Sequence, residues 1–281
     1  GQHAPGRQDH RLALSAAHHL LLAHGRATRV LRGILGPDAS IGLVLNPAPV
    51  RPASDHADDR DAVALADGLR NRVWTDPLFR GAYPDDVLAA WEPLADLDAL
   101  HLDGDLDEIA APVDLLGINY YTPVYVGARS AGHGGGTPAG PGQDHIVEVP
   151  GPEPTSALGW SIDPTGLYDL LTRLRVDYGV PMAIAETGGA FPDVPDDAGH
   201  VEDTDRIAYL DGHLEAFARA AADGVDLRAF YVWTLMDNFE WAEGYRSTFG
   251  IVRVDRDTME RIPKASAHWY RHLLAARSSA R

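Results

Sequence analysis

Apolar residues recur at helical spacing from Arg11 to Leu35, in a stretch that is rich in Ala and Leu and stops at Gly36-Pro37. This pattern predicts one long amphipathic helix. The apolar, β-branched run from Ile41 to Leu45 follows at once and ends at Asn46-Pro47. It predicts a strand that is buried on both faces, so a helix and a strand open the chain.

The same alternation returns in the C-terminal half. Three more short apolar runs predict strands: DLLGINYY from Asp114 to Tyr121, MAIAETGG from Met182, and RAFYVWTLMD from Arg228 to Asp237. Helical periods at 164–178 and 203–223 separate them, and a closing helix begins at Lys264. The segment FGIVRVD and its return through Arg261 predict a β-hairpin outside the main sheet.

The long connection between the first two strands is less regular. A helical period runs from Asp58 to Thr75, Asp76-Pro77 and Tyr83-Pro84 are expected to interrupt it, and a Leu/Asp-rich helical stretch continues to about Ile109. Between Gly127 and His145 the sequence is rich in Gly and Pro and has no hydrophobic period. We expect a mobile surface loop there rather than a domain linker.

Strands that alternate with helices predict βαβ units and a parallel sheet, which fits either a doubly wound sheet or a barrel. Only four core strands can be found, whereas a whole (β/α)₈ barrel closes eight and commonly needs about 250 residues. Most of the 281 residues lie in the long connections between these four strands. We therefore expect one α/β domain over residues 1–281 that cannot close eight strands alone.

Composition narrows the classes of partner. The chain has 24 basic and 41 acidic residues, a formal charge of −17 and no Lys/Arg run, which argues against nucleic acid or an anionic membrane as partner. It has no cysteine, which suits a reducing compartment and favours a cytoplasmic location. No apolar stretch approaches the roughly 20 residues of a membrane span. The chain begins at Gly1 rather than Met, which leaves an upstream signal open.

Each predicted strand ends in polar or aromatic residues, and parallel sheets and barrels collect their functional groups at the C-terminal ends of their strands. They are Asn46, then Asn119 and Tyr121, then Glu186, then Trp233. Glu186 stands where an apolar strand gives way to Gly188-Gly189. A lone Glu at such a place more often caps a helix or pairs with an Arg, so its neighbours decide the interpretation.

Those neighbours are typical of a sugar site. Trp233, Glu240 and Trp241 occur together in WTLMDNFEWAEGYRSTFG. Indole faces pack against the C–H faces of a pyranose, and a carboxylate accepts hydrogen bonds from two hydroxyls. The sequence therefore predicts a carbohydrate site built from the last two strand ends.

Here the chain resembles glycoside hydrolase family 1, the β-glucosidase family, whose nucleophile motif is similar to AETGG and whose last strand leads into a segment similar to DNFEWAEGY. The likeness extends over the chain, through HAPGR at His3, AAHHLLLAHG, GAYP, DLLGINYYTP, GWSIDPTGLYDLL and RIPKAS. It implies the TIM (β/α)₈-barrel family, here as an incomplete barrel with about four parallel strands, helices and a C-terminal hairpin.

The resemblance also implies roles for single residues. It implies that Glu186 is the nucleophile and that Tyr121 hydrogen-bonds it. For the sugar it implies Asn119 on the same floor, Trp233 beneath the ring, Glu240 and Trp241 at the outer hydroxyls, Trp160 as an aglycone wall and Phe249 closing the glycone pocket. The reaction would be a double displacement through a glycosyl-enzyme with retained configuration. An unphosphorylated β-glucoside or β-galactoside, free or within an oligosaccharide, is the implied substrate, and no cofactor is implied.

The family's acid/base is the Glu of an Asn-Glu-Pro motif, which occurs nowhere in this sequence. The family's Gln, His-Trp and Arg contacts lie on strands that precede HAPGR. Glu92, Glu108 and Glu153 fall outside the strand ends and are interpreted as surface charge. Thr187 and Thr248 depart from the usual Asn and basic residue without removing a catalytic group.

No metal site is expected. His18, His19 and His24 lack the i, i+4 spacing that places two imidazoles on one helix face, and we expect them to pack and to hydrogen-bond. The segment GHGGG at Gly132 has neither a strand before it nor a helix after it, so it is interpreted as loop.

Three hypotheses remain. The first is a β-glycosidase whose isolated chain is weak or inactive without an N-terminal half. The second is a non-catalytic sugar-binding module that uses Trp233, Glu240 and Trp241. The third is a half-barrel that pairs with the missing N-terminal half or with a second copy of itself.

Overall fold

The computed structural model describes residues 4–96 and 102–278. His3 of the HAPGR motif and residues 97–101 of the predicted Leu/Asp-rich stretch lie outside the described residues. The helices are α1 (His10–Leu35), α2 (Ala57–Asp67), α3 (Val73–Arg80), α4 (Asp85–Trp91), α5 (Asp105–Ile109), α6 (Pro164–Tyr178), α7 (Thr204–Ala222) and α8 (Ala265–Ser278). The strands are β1 (Gly42–Leu45), β2 (Val50–Pro52), β3 (Leu115–Asn119), β4 (Val124–Ala128), β5 (Thr137–Pro138), β6 (Ile146–Val149), β7 (Met182–Glu186), β8 (Leu227–Phe230), β9 (Val252–Val254) and β10 (Arg261–Pro263).

The main sheet is parallel and has the order β1-β3-β7-β8. Val44 pairs with Gly117, and Ile118 pairs with Ile184 in the next strand. The prediction of four parallel core strands is confirmed. In the described part of the chain β1 and β8 form the two edges of this sheet.

The outer face of the sheet is covered by α6 and α7. Leu116, Ile118, Met182 and Ile184 are completely buried in the resulting core. The start of α6 is fixed by Asp163, whose side chain accepts a hydrogen bond from the Gly166 amide at 3.0 Å. Short apolar strands and a capped helix thus place the carboxyl ends of β3 and β7 side by side.

A second apolar cluster joins α1 to α3, α4 and α5 and, like the first, packs against Leu43 and Leu45 of β1. Asp9 caps α1 by accepting from the Leu12 amide at 3.2 Å. Gly25 lets α1 approach α5, because a Cβ there would stand 1.9 Å from the Glu108 carbonyl oxygen. The long predicted helix is confirmed, and it ends at Leu35 before Gly36.

The Gly/Pro-rich segment corrects one prediction. It is not simply a loop, because β4 continues to Ala128 and β5 pairs with β6 in a second sheet of order β2-β4-β6-β5. Asp59 holds this segment on α2 by accepting from the Ala128 amide at 2.8 Å and bonding His133 Nε2 at 2.9 Å. The buried carboxylate of Asp59 lies 69 residues before Ala128, and β2, which pairs with β4, also lies far earlier in the chain, so local composition could not reveal these contacts.

Two boundaries were also predicted wrongly. The helix does not stop at Asp76-Pro77: a π-helical turn at 68–72 leads into α3, which passes through Pro77 to Arg80. A proline removes a donor but keeps helical φ, and the burial of this segment outweighs that loss. The fourth core strand ends at Phe230 rather than Asp237, because the chain leaves the sheet to bond the Phe249 carbonyl through the Thr234 amide at 3.2 Å.

The predicted C-terminal hairpin is confirmed as the antiparallel pair β9 and β10. Its apolar side joins a cluster with Phe191, Tyr209, Leu210 and α8. Among the described helices, none combines the length and apolarity that a membrane crossing requires.

Candidate active site

The strand ends bring the predicted nucleophile and its partner together. Asn119 pairs with Glu186 across β3 and β7, and the Tyr120 amide donates to the Glu186 carbonyl at 2.8 Å. Because the two strands are parallel, the residues that follow them meet at one edge of the sheet.

The Tyr121 hydroxyl donates to Oε2 of Glu186 at 2.5 Å. Burial raises the pKa of Tyr121 well above its usual value, and the adjacent carboxylate raises it further. The phenol therefore stays protonated and remains a donor. A half-buried carboxylate that is held by one hydrogen bond is oriented, while its other oxygen is left for an electrophile.

A second layer supports Tyr121 from behind. The Tyr209 hydroxyl donates to the Tyr121 carbonyl at 3.0 Å and lies 3.3 Å from the Thr187 hydroxyl. The Tyr209 ring stacks on His213 at 3.9 Å, and burial lowers the pKa of His213 to about 4. The sequence analysis missed this layer, because Tyr209 and His213 look like ordinary buried positions of an amphipathic helix.

Trp233 and Glu240 form the second pair of the site. Nε1 of Trp233 donates to Oε1 of Glu240 at 3.1 Å. Burial raises the pKa of Glu240, the Trp233 bond opposes that rise, and the charge of Glu186 adds to it. Two carboxylates thus face one region, one on a strand end and one on the loop that follows β8.

Gly188 permits this proximity. A Cβ on Gly188 would lie 1.9 Å from the carbonyl oxygen of Trp233, and the Trp233 amide donates to the Thr187 carbonyl at 2.9 Å. Only a residue without a side chain lets the turn after Glu186 touch the segment that carries Trp233.

Three aromatic rings form one wall. Tyr121 lies 5.7 Å from Trp160 and 6.2 Å from Phe249, and Trp160 lies 6.1 Å from Phe249, measured between ring centroids. Phe249 is buried, whereas Trp160 is exposed enough to offer a face. The structure therefore gathers three of the predicted residues around the hydroxyl that bonds Glu186.

Asn119 and Trp241, two further predicted contacts of the sugar, differ in burial. Oδ1 of Asn119 is buried and finds no hydrogen-bond partner among residues 4–96 and 102–278. A buried acceptor without a partner is costly, and a hydroxyl of a ligand would satisfy it. Trp241 is 74% exposed, so its assignment to a sugar hydroxyl stays a prediction.

A buried ionic cluster fixes the loop that carries Glu240. Nζ of Lys264 lies 2.5 Å from Asp193 and 3.0 Å from Asp237, and Arg206 also pairs with Asp193 at 2.9 Å. Asp203 adds a third carboxylate through Arg206. The Arg206 guanidinium donates to the Thr248 carbonyl at 2.9 Å. The cluster therefore binds the loop from 237 to 250 at both ends, through Asp237 at its start and Thr248 near its end. Lys264 belongs to the RIPKAS motif, but the spacing of residues in the sequence did not indicate that it pairs with these carboxylates.

Metal ligation finds no support among the described residues, where no group of three or more His, Asp or Glu is placed to hold an ion. His18 bonds the Tyr83 hydroxyl at 3.0 Å and Asp105 at 3.1 Å. This bonding agrees with the structural role that was expected for His18.

Comparisons with known proteins agree with this geometry. The sequence model described as Glycosyl hydrolase family 1 matches residues 1–279. Beta-glucosidase A of Acetivibrio thermocellus is 40% identical over 275 residues, which are 98% of this chain and 59% of that protein. The bifunctional beta-D-glucosidase/beta-D-fucosidase of Bifidobacterium breve is 40% identical over 292 residues, covering 99% of this chain and 61% of that protein.

Solved structures give the same result. The GH1 beta-glucosidase of Exiguobacterium antarcticum superposes with a TM-score of 0.91 at 37% identity, over all of this chain and 61% of that one. The family 1 b-glucosidase of Thermotoga maritima reaches a TM-score of 0.87 at 36% identity, over 97% of this chain and 59% of that one. This likeness confirms the predicted barrel-family fold class. The chain spans about three fifths of the length of the relatives it matches.

Proposed function

The chain belongs to glycosyl hydrolase family 1, as its motifs predicted, and from this premise we propose that it carries the nucleophile and glycone side of a retaining β-glycosidase. The observation that carries the proposal is the bond from Tyr121 to Glu186 beside the Trp233–Glu240 pair. An oriented carboxylate next to an indole and a second hydroxyl acceptor suits attack on a bound pyranose.

The first step would form a bond between Glu186 and the anomeric carbon as the bond from that carbon to the leaving oxygen breaks. Water would then attack the same carbon and free the carboxylate, so two inversions retain the configuration. Asn119, Trp233 and Glu240 would hold the glycone, and Phe249 and Trp241 would line it. Trp160 would face the aglycone. An unphosphorylated β-glucoside or β-galactoside fits these contacts, because the carboxylates of Glu186 and Glu240 would repel a phosphate group.

The leaving oxygen needs a proton, and the sequence contains no Asn-Glu-Pro. Glu92 caps the end of α4, Glu108 lies within α5 and pairs with Arg26, and Glu153 bonds Thr155. We therefore infer weak turnover for the isolated chain, because loss of a general acid typically lowers the rate about 10²–10⁴-fold.

The test compares leaving groups. Dinitrophenyl β-glucoside needs no proton on its leaving oxygen, whereas methyl β-glucoside does. We expect the isolated chain to hydrolyse the first, Glu186→Gln to lose that activity, and neither protein to cleave the second at a useful rate. Equal hydrolysis of dinitrophenyl β-glucoside by Glu186→Gln would contradict the proposal.

A second candidate is favoured by the sheet edges. Val44 on β1 is 54% exposed, and Tyr231 and Leu235 after β8 are each 61% exposed. Apolar side chains at open edges suit pairing with a further chain segment or a second copy. A second copy would also lack Asn-Glu-Pro, so a site completed by such a copy would bind sugar without turnover. Titration calorimetry with glucose on the wild type and Glu240→Ala tests it: equal heats would reject this use of the site.

A further inference from the structure

A buried hydroxyl that takes no part in the proposed reaction lies behind the reacting pair. It belongs to Tyr209, a residue of α7 that is only 2% exposed. The hydroxyl donates to the Tyr121 carbonyl at 3.0 Å, on the β3 side of the site. On the β7 side it lies 3.3 Å from Oγ1 of Thr187, the residue after Glu186, and the Gly188 backbone also hydrogen-bonds it. One oxygen atom therefore joins the segment that carries Tyr121 to the segment that carries Glu186.

The direction of each of these hydrogen bonds follows from counting donors and acceptors. A tyrosine hydroxyl has one proton and two lone pairs. Because Tyr209 gives its proton to the Tyr121 carbonyl, the Thr187 hydroxyl is the donor of the bond between the two hydroxyls. The Gly188 amide is the second donor to the same oxygen. All three bonding positions of the hydroxyl are thus used, and burial raises the pKa of Tyr209, which keeps the proton in place.

The bond between the two hydroxyls is not part of the family motif. Thr187 stands where the family usually has Asn, which carries no hydroxyl, and Thr187 is completely buried. One turn before Tyr209, the buried Arg206 fixes α7 through its pairs with Asp193 and Asp203. The Tyr209 hydroxyl therefore projects from a helix whose position is set by buried ions.

Regular strand pairing ends before the reacting pair. The register of β3 against β7 shifts between Ile118 and Asn119, where Asn119 pairs with Glu186. Such an irregularity re-aims the side chains that follow it. Tyr121 lies two residues beyond Asn119, and its carbonyl is bonded by a side chain, the Tyr209 hydroxyl. The direction of the reacting side chains therefore depends on this contact as well as on the sheet.

We propose that Tyr209 is a positioning residue for the nucleophile, because it joins Tyr121 to Thr187 and so fixes the direction in which Glu186 faces the anomeric carbon. The inference rests on the proposed function and adds a residue that is buried behind the site. In the first step a carboxylate oxygen bonds the anomeric carbon as the bond to the leaving oxygen breaks, and a misplacement of about 1 Å can slow such a step about 10²-fold. Loss of the Tyr209 hydroxyl should therefore slow bond formation without weakening sugar binding.

The experiment separates bond formation from binding. Dinitrophenyl 2-deoxy-2-fluoro-β-glucoside, whose leaving group needs no acid, labels the isolated chain with a limiting rate that reports bond formation and a half-saturating concentration that reports binding. We expect Tyr209→Phe to lower the limiting rate about tenfold and to keep the half-saturating concentration within about twofold. Thr187→Val should lower the rate by a smaller factor, whereas Thr187→Ser keeps the hydroxyl and should restore the wild-type rate. The double variant Tyr209→Phe with Thr187→Val should be no slower than Tyr209→Phe, because both changes remove the same bond.

A second pair of a tyrosine and a threonine supplies the matched control. Oγ1 of Thr75 lies 2.7 Å from the Tyr178 hydroxyl, and this contact joins α3 to the last residue of α6. Tyr178→Phe removes the same chemical group from the same kind of contact. It should leave the limiting rate and the half-saturating concentration unchanged.

The possible results separate this inference from the proposed function. An unchanged limiting rate in Tyr209→Phe, or an equal loss in Tyr178→Phe, would overturn the inference and leave the proposed function standing. A higher half-saturating concentration at an unchanged limiting rate would also overturn it, because Tyr209 would then act on binding. If Tyr209→Phe does not fold, equal rates in Thr187→Val and Thr187→Ser would overturn it instead. No label on the wild-type chain would contradict the proposed function itself.

Discussion

Tyr121 and Glu186 lie at the ends of β3 and β7, whereas Glu240 lies on the loop between β8 and β9. The strand-end pair is set by sheet register, because the Tyr120 amide donates to the Glu186 carbonyl next to the two side chains. The loop is instead held by buried ions beneath it, chiefly Lys264 on Asp237.

This difference separates two ways of fixing a site. Backbone pairing fixes Glu186, which has no cationic partner within residues 4–96 and 102–278, and its support is apolar and aromatic. The Glu240 loop depends on side chains from α7, the hairpin and the start of α8. Changes to the ionic cluster should therefore act on sugar binding and stability, and loss of the Tyr121 hydroxyl should act on chemistry.

The largest expected effect is on the ionic cluster. Lys264→Met leaves Asp193 and Asp237 buried without that cation, which should lower the free energy of unfolding by about 3–5 kcal/mol in urea titrations. Arg228→Met is the control, because Arg228 and Asp226 are exposed and such a pair contributes at most about 1 kcal/mol. An equal loss of unfolding free energy in the two variants would show that the ionic cluster does not stabilise the fold more than an exposed ion pair does.

The next largest effect should be that of low pH on the free energy of unfolding, through His213 in the layer behind Tyr121. Burial lowers the pKa of His213 from 6.5 to about 4, so the unfolded chain binds more protons between these values. The contribution of His213 to the free energy of unfolding is fully present above pH 6.5. It falls as the pH drops toward 4, by roughly 3 kcal/mol in all.

His213→Phe keeps an aromatic ring against Tyr209 but does not titrate. The difference in unfolding free energy between wild type and variant should therefore change with pH only within that window. A constant difference from pH 4 to 8 would show that His213 does not couple the tyrosine layer to pH.

Tyr121→Phe should have the smallest effect on folding and a selective effect on chemistry. It removes the donor to Glu186, and a hydrogen bond to a charged group contributes about 1.5–3 kcal/mol, or about 10–100-fold in rate. Hydrolysis of dinitrophenyl β-glucoside should fall by that factor, while the free energy of unfolding changes by less than about 1 kcal/mol. Tyr168→Phe is the control, because Tyr168 bonds Asp223 on the outer surface. A rate unchanged in Tyr121→Phe would mean that strand register alone orients Glu186.

The sequence predicted the strand-end half of the site better than the loop half. Glu186 and Tyr121 each follow a short apolar run, and parallel strands place such positions at one edge, so periodicity predicted that they lie close together, while the family resemblance implied the bond between them. The two carboxylates that bind Lys264 lie 27 and 71 residues before it in the sequence, and no local pattern indicates such distant partners.

The errors in the fold have the same origin. The second sheet needed β2 and Asp59, which lie far earlier in the chain, to hold β4, and the helix through Pro77 needed burial to outweigh a proline. In both places long-range packing overrode a correct local signal. Tyr209 and His213 were passed over because a buried polar ring on an amphipathic helix has the same spacing as an apolar one.

The most direct measurement is covalent trapping of the nucleophile. Dinitrophenyl 2-deoxy-2-fluoro-β-glucoside carries a leaving group that needs no acid, and the fluorine slows release of the glycosyl-enzyme. Intact-mass spectrometry should show one added fluoroglucosyl group on the wild-type chain, peptide mapping should place it on Glu186, and Glu186→Gln should remain unlabelled. A label on Glu240, or an equal label on Glu186→Gln, would contradict the assignment of Glu186.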